Sequence, residues 1–140
     1  MNTRTFALVW GILFLMITAT GVIPGLWHPA PAHYPHIAVD SMYGDAAGLF
    51  PVNILHNLVH LVFGIWGVIA YRNWDSARTY AKAVAIAYGL FVVMGLVPGL
   101  DTTFGLVPLF GNDIWLHVLL AAPAIYFGFI RKDAADGRRA

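Results

Sequence analysis

Four apolar runs alternate with more polar stretches along the chain. They read TFALVWGILFLMITATGVIPGL (about Thr5 to Leu26), PVNILHNLVHLVFGIWGVIAY (Pro51 to Tyr71), AKAVAIAYGLFVVMGLVPGL (about Ala81 to Leu100) and DIWLHVLLAAPAIYFGFI (Asp113 to Ile130). A bilayer core takes roughly 20 mostly apolar residues per helix, so each run predicts one membrane-crossing helix. The expected fold is all-α, an integral membrane four-helix bundle forming one domain over residues 1–140. Pro123 falls inside the fourth span and is expected to kink it. Ala121, Ala122 and Ala124 beside it would let another helix come close.

The pattern repeats. GVIPGL at 21–26 and GLVPGL at 95–100 each end an odd-numbered span. Leu58-Val59-His60-Leu61 aligns with Trp115-Leu116-His117-Val118, and His56 then falls on Asp113. The chain reads as two tandem helical hairpins, as parallel repeats about an axis along the membrane normal would give. Pro and Gly end helices, and the pairs Gly21/Gly25 and Gly95/Gly99 have the spacing that permits close helix approach.

Composition strengthens the membrane reading. Hydrophobic residues make up 59% and charged residues 11%, against about 25% charged in ordinary soluble domains. The net charge of +1 gives no sign of nucleic acid as a partner. Cys is absent, which removes disulfides, thiol catalysis and iron–sulfur ligation. Glu and Gln are absent too, so any carboxylate chemistry falls to Asp.

Charge placement sets the expected orientation. Arg4 precedes span one; Arg72, Arg78 and Lys82 lie between spans two and three; Arg131, Lys132, Arg138 and Arg139 follow span four. Residues 27–50 and 101–112 contain no Lys or Arg. By the positive-inside rule both termini are cytoplasmic and those two segments face outward. Trp27 and Trp115 fall at the outer boundary, and Tyr71 and Trp74 at the inner one. Arg4, the first apolar run and APA at 30–32 imitate a signal peptide. The run is longer than a usual h-region of about 7–15 residues, and the repeat needs this helix, so it is read as a retained span.

Candidate chemistry sits at the outer ends of spans two and four. His56 and His60 are i, i+4 and share one helix face, as do Asp113 and His117. If those faces meet, three imidazoles and one carboxylate converge. That set suits a tetrahedral Zn²⁺ or another divalent transition metal. Asn53, Asn57 and Asn112 could orient the imidazoles. The competing reading is a hydrogen-bonded network holding the helices together. A haem between His60 and His117 is a further alternative. A proton route would stop short, because Lys82 is the lone ionisable group in the inner halves of the spans. Asp113 could instead cap span four.

The outward segments add less. His28, His33 and His36 precede Asp40 and Asp45 in the first, where they could deliver ions. Pro29, Pro31 and Pro35 disfavour helix there, while Pro51 suits a first helical turn. The second, DTTFGLVPLFGND, is apolar and expected to fold back onto the bundle, with Asp101 as a cap or extra ligand.

LFPVNILHNLVH on span two, GLVPLFGND before span four and LH within it resemble a bacterial family of small four-span membrane proteins catalogued only as a domain of unknown function. The resemblance covers essentially the whole chain. It implies the four-helix architecture and a bacterial cytoplasmic (inner) membrane, and it supplies no activity. Three functional classes follow. The first is a metal-binding membrane protein with His56, His60, Asp113 and His117 as ligands. The second is a non-catalytic accessory subunit of a larger membrane complex, or a homo-oligomer, in the lipid bilayer. The third is an enzyme or haem electron carrier, for which no nucleophile–base pair, phosphate loop or nucleotide motif is present.

Overall fold

The structure is a computed structural model that describes residues 1–132. Arg138 and Arg139, which entered the orientation argument, lie outside the described residues. The fold is mostly helical: α1 (Thr3–Thr20), α2 (Ile54–Ala70), α3 (Trp74–Leu96) and α4 (Asn112–Ile125), the last running into a π-helical turn, Tyr126–Ile130. α1, α3 and α4 with its π turn are long and apolar enough to cross a membrane, which marks the chain as a membrane protein. α2 has 17 residues, or about 26 Å at the usual rise.

Three of the helices start on an asparagine cap. Asn2, Asn53 and Asn73 each accept a hydrogen bond from a backbone N–H three residues on, at Thr5, His56 and Ser76. Such a cap satisfies one of the N–H groups that a helix start leaves without a partner. The caps explain where the boundaries depart from the apolar runs. α3 begins at Trp74 rather than near Ala81, because Asn73 starts it and the polar turn WDSART continues it. α2 begins at Ile54; Pro51, expected in a first helical turn, lies in a strand instead.

α1 ends at Thr20, short of Leu26. Gly25 and Gly99 occupy corresponding positions in the two repeated motifs, and both sit at positive φ, +89° and +87°. They are turn residues with open space around them and make no helix packing. Their companions do make close approaches: a Cβ on Gly21 would run into the Asn57 side chain, and one on Gly95 into Leu109 O and Ile114. A Cβ on Gly11 would meet Val68 N at 2.6 Å and Gly64 O at 2.9 Å, so α1 and α2 pack backbone to backbone. α3 packs along α4 nearly as extensively as α1 packs along α2.

The arrangement of polarity is inverted relative to a water-soluble bundle. Ile86 and Leu119 are 65% and 68% exposed, while three histidines, two asparagines and Asp113 are buried. Apolar flanks facing outward and polar groups facing inward are what a lipid surround requires. The apolar core runs through Phe6, Phe14, Tyr80, Val84, Tyr88 and Leu120, all buried.

The all-α expectation is corrected in the first outward segment. β1 (Trp27–Pro29), β2 (Gly44–Ala46) and β3 (Phe50–Val52) form an antiparallel sheet in the order β1-β2-β3. Three-residue strands carry too little alternation to be read from a pattern. Their prolines, Pro29 and Pro51, sit on the two outer strands, where a missing N–H is tolerated. Asn53 ties this segment to the second one: its Nδ2 donates to Val39 O at 2.8 Å and to Leu106 O at 2.7 Å. Ala38 N and Val39 N donate to Gly105 O across the same junction. Asn53→Ala removes a cap and two buried bonds together. It is expected to cost roughly 2–4 kcal/mol, read as a lower thermal transition in detergent.

Two outward tyrosines lean on Asp45. Tyr34 donates its hydroxyl to Asp45 Oδ1 at 2.7 Å. Burial and Asp45 raise the Tyr34 phenol above its ordinary range, and push the Tyr43 phenol up to about 12. Tyr43 donates its own hydroxyl to Pro35 O at 2.9 Å, and both bonds need the neutral phenol as donor. The sheet's stability is therefore full below pH 10 and falls as pH rises through the raised values. A spectrophotometric titration is expected to show both tyrosines ionising later than free tyrosine.

Candidate metal centre

α2 and α4 bring the predicted side chains together. His56 and His60 project from the first two turns of α2, and Asp113 and His117 from the first two of α4. All four are at most 2% exposed. A nitrogen from each of His56, His60 and His117 lies within 4.8 Å of the others, a group with metal-ligand spacing. Asp113 Oδ2 lies 3.4 Å from His117 Nε2 and 3.8 Å from His56 Nε2. Tetrahedral zinc with bonds of about 2.0–2.1 Å sets its ligand atoms about 3.4 Å apart. The three imidazoles could hold an ion, and Asp113 lies beside two of them at distances near that ligand spacing.

The 3.4 Å and 3.8 Å approaches of Asp113 to the imidazoles are longer than an ordinary hydrogen bond of about 2.7–3.2 Å. Among the described residues, the ring nitrogens of His60 and His117, Nε2 of His56 and both oxygens of Asp113 have no hydrogen-bond partner. A buried polar atom without one costs roughly 1–3 kcal/mol. A buried carboxylate is ordinarily paired or bound to a metal. Among the described residues Asp113 pairs with no lysine or arginine; its ion-pair partners within 4 Å are the imidazoles of His56 and His117.

The three asparagines that could have oriented the rings are engaged elsewhere. Asn53 caps α2 and bonds the outward segments. Asn57 donates to Gly21 O at 3.0 Å, and Asn112 to Leu49 O at 3.2 Å. The capping alternative for Asp113 is overturned: Gly111, at φ 66°, occupies the cap position, and Asp113 turns inward from the first turn. Asp101 neither caps a helix nor reaches the cluster; its Oδ1 accepts from Gly99 N within the turn. Among the described residues His28, His33 and His36 form no ligand group; His28 lies opposite Asp45 in the sheet and His33 packs on Tyr34.

Aromatic rings that the sequence reading passed over wall the cluster. Tyr88 of α3 stacks on His60 at 6.2 Å between centroids and meets His117 edge-on at 5.1 Å. Phe14 of α1 lies 5.7 Å from His60, and Phe91 lies 5.6 Å from His117. Each helix thus contributes to the site. Tyr88 had a signal: it is the only hydroxyl between Lys82 and Pro98.

The ring spacing bears on haem. His60 and His117 are 6.4 Å apart, and His56 is 4.6 Å from the first and 5.5 Å from the second. His56 therefore sits near the midplane between them, where a macrocycle would lie. A bis-histidine haem does not fit this arrangement.

Fold and site together define a membrane protein whose helices enclose one His/Asp cluster able to hold a metal ion. The chain belongs to the family described as Domain of unknown function (DUF4383), the match running over residues 4–130. No curated protein and no solved structure matches it.

Proposed function

We propose that this protein is a four-span membrane protein that binds one divalent transition metal ion through His56, His60, Asp113 and His117. The observation that carries the reading is Asp113. It is a carboxylate 1% exposed, without a hydrogen bond, facing two imidazole nitrogens at 3.4 Å and 3.8 Å. Zn²⁺ accepts three imidazoles and a carboxylate in tetrahedral geometry, and other first-row divalent ions compete for such a set. A hydrogen-bonded network would require bonds among these side chains, and among the described residues none is made.

In this reading α2 crosses the bilayer with the other helices, as two tandem hairpins with both termini cytoplasmic in a bacterial inner membrane. Arg4, Arg72, Arg78, Lys82, Arg131 and Lys132 gather at one end of the helices, and the outward segments carry no basic residue. The site then lies near the outer surface, beneath the sheet. Elemental analysis of protein purified in mild detergent tests the binding. One equivalent of metal is expected, removed by a strong chelator with a fall in thermal stability. Protein free of stoichiometric metal, with a transition indifferent to chelator and to added Zn²⁺, would contradict it.

A further inference from the structure

α3 carries a second feature at the opposite end from the histidines. Trp74, Asp75, Arg78, Thr79 and Lys82 line a cavity of about 290 Å³ at its N-terminal end. Its two cations are held in place. The Arg78 guanidinium lies 5.0 Å from the Trp74 ring, and its Nε donates to Gly128 O at 3.1 Å. Lys82 Nζ lies 5.8 Å from the Phe129 ring. Neither has a carboxylate partner among the described residues, although Asp75 lines the same cavity.

Beyond the cavity α3 carries exposed apolar residues. Trp74, Arg78 and Lys82 follow one another at i, i+4 and i+8, so they share a face of α3. Ile86, Leu90 and Val93 extend that face and are more than half exposed. A cationic cavity followed by an exposed apolar stripe has the shape of a lipid: a head group at the interface and chains along the helix. Trp74 and the basic residues are of the types that sit at that interface.

We propose that this cavity binds the phosphate of an anionic phospholipid, with Arg78 and Lys82 pairing the phosphate, Thr79 donating a hydrogen bond and the acyl chains lying along Ile86, Leu90 and Val93. A free phosphate ion would share the polar contacts but make no use of the apolar stripe. The inference rests on the membrane reading and is independent of the metal.

The test uses the full protein in detergent, titrated with phosphatidylglycerol, phosphatidylcholine and inorganic phosphate, and read by native mass spectrometry. Phosphatidylglycerol is expected to be retained over phosphatidylcholine. The pair Arg78→Gln and Lys82→Gln should weaken that retention roughly thirty-fold, two surface cations being lost. Because Arg78 also bonds the π turn, exposed Lys82→Gln alone serves as the second variant and should weaken it several-fold. Metal content should be unchanged in both. Inorganic phosphate should fail to displace the lipid; displacement would overturn the lipid assignment. Equal retention of both lipids, or full retention of phosphatidylglycerol by the folded Lys82→Gln protein, would overturn the site.

Discussion

Protein carrying His60→Ala is expected to lose its metal and, with it, much of its thermal stability. His60 sits on the second turn of α2 and meets each partner side: His56 at 4.6 Å, His117 at 6.4 Å and the Tyr88 ring at 6.2 Å. Removing a residue that merely orients a ligand costs about 10–100-fold in metal affinity. Removing a ligand itself should exceed that, so at least about 100-fold weaker binding is expected. The loss carries into folding, because an ion bound by the folded state alone stabilises it by mass action. The variant leaves His56, Asp113 and His117 buried, now without the charge that holds them together. If the cluster bound nothing, the same substitution would remove one buried imidazole whose nitrogens have no partner. Stability would then fall only by the cost of the cavity left beside Phe14 and Tyr88, by the same amount with and without Zn²⁺, and chelator would act equally on both proteins. Metal analysis paired with thermal unfolding in the presence and absence of Zn²⁺ separates the two results.

The second large effect is expected at Gly11. A Cβ there would lie 2.6 Å from Val68 N, 2.9 Å from Gly64 O and 2.9 Å from Gly67 C. All three are backbone atoms, so no side chain can swing aside. Gly11→Leu must push α1 off α2, and overpacking of this kind costs about 1–3 kcal/mol or more. The seam carries Phe14 one turn further along, and Phe14 walls His60. Weaker metal retention is therefore expected to accompany the loss of stability. Gly89→Ala is the control. It is also a helical glycine, but nothing lies within 4 Å of its added Cβ. It should be neutral or stabilising by up to about 1 kcal/mol. Unfolding by denaturant in mixed micelles measures both. Equal behaviour of the two variants would remove the close-packing account of α1 and α2.

The His/Asp cluster was legible in the sequence because helical spacing alone fixes which side chains share a face. His56 with His60, and Asp113 with His117, needed only the two helices to be neighbours. Asn53 was visible as a polar residue beside the cluster, yet its role as cap and as staple between the outward segments depends on where Val39 and Leu106 arrive in space. The sheet was not legible. Its strands are three residues long and one of them is Gly-Asp-Ala, so register with neighbours holds it rather than propensity. Gly25 and Gly99 were read as packing residues from their spacing, but Pro24 and Pro98 precede them and the chain turns there at positive φ. Gly21 and Gly95 of the same pairs do pack closely, whereas Gly11, Gly64 and Gly67 lie where two apolar runs touch, and apolar periodicity does not reveal which faces meet. Tyr88 was missed for a related reason: a phenol in an apolar span reads as core until its neighbours are known.

X-ray absorption at the metal edge of the purified, metal-loaded protein tests the central claim most directly. The account predicts one ion per chain in a shell of nitrogen and oxygen at about 2.0–2.1 Å, with the outer scattering of three imidazoles, and in His117→Ala either loss of the ion or, at saturating metal, one imidazole fewer. A spectrum without imidazole scattering, or one unchanged by His117→Ala, would place the ion elsewhere and contradict the site.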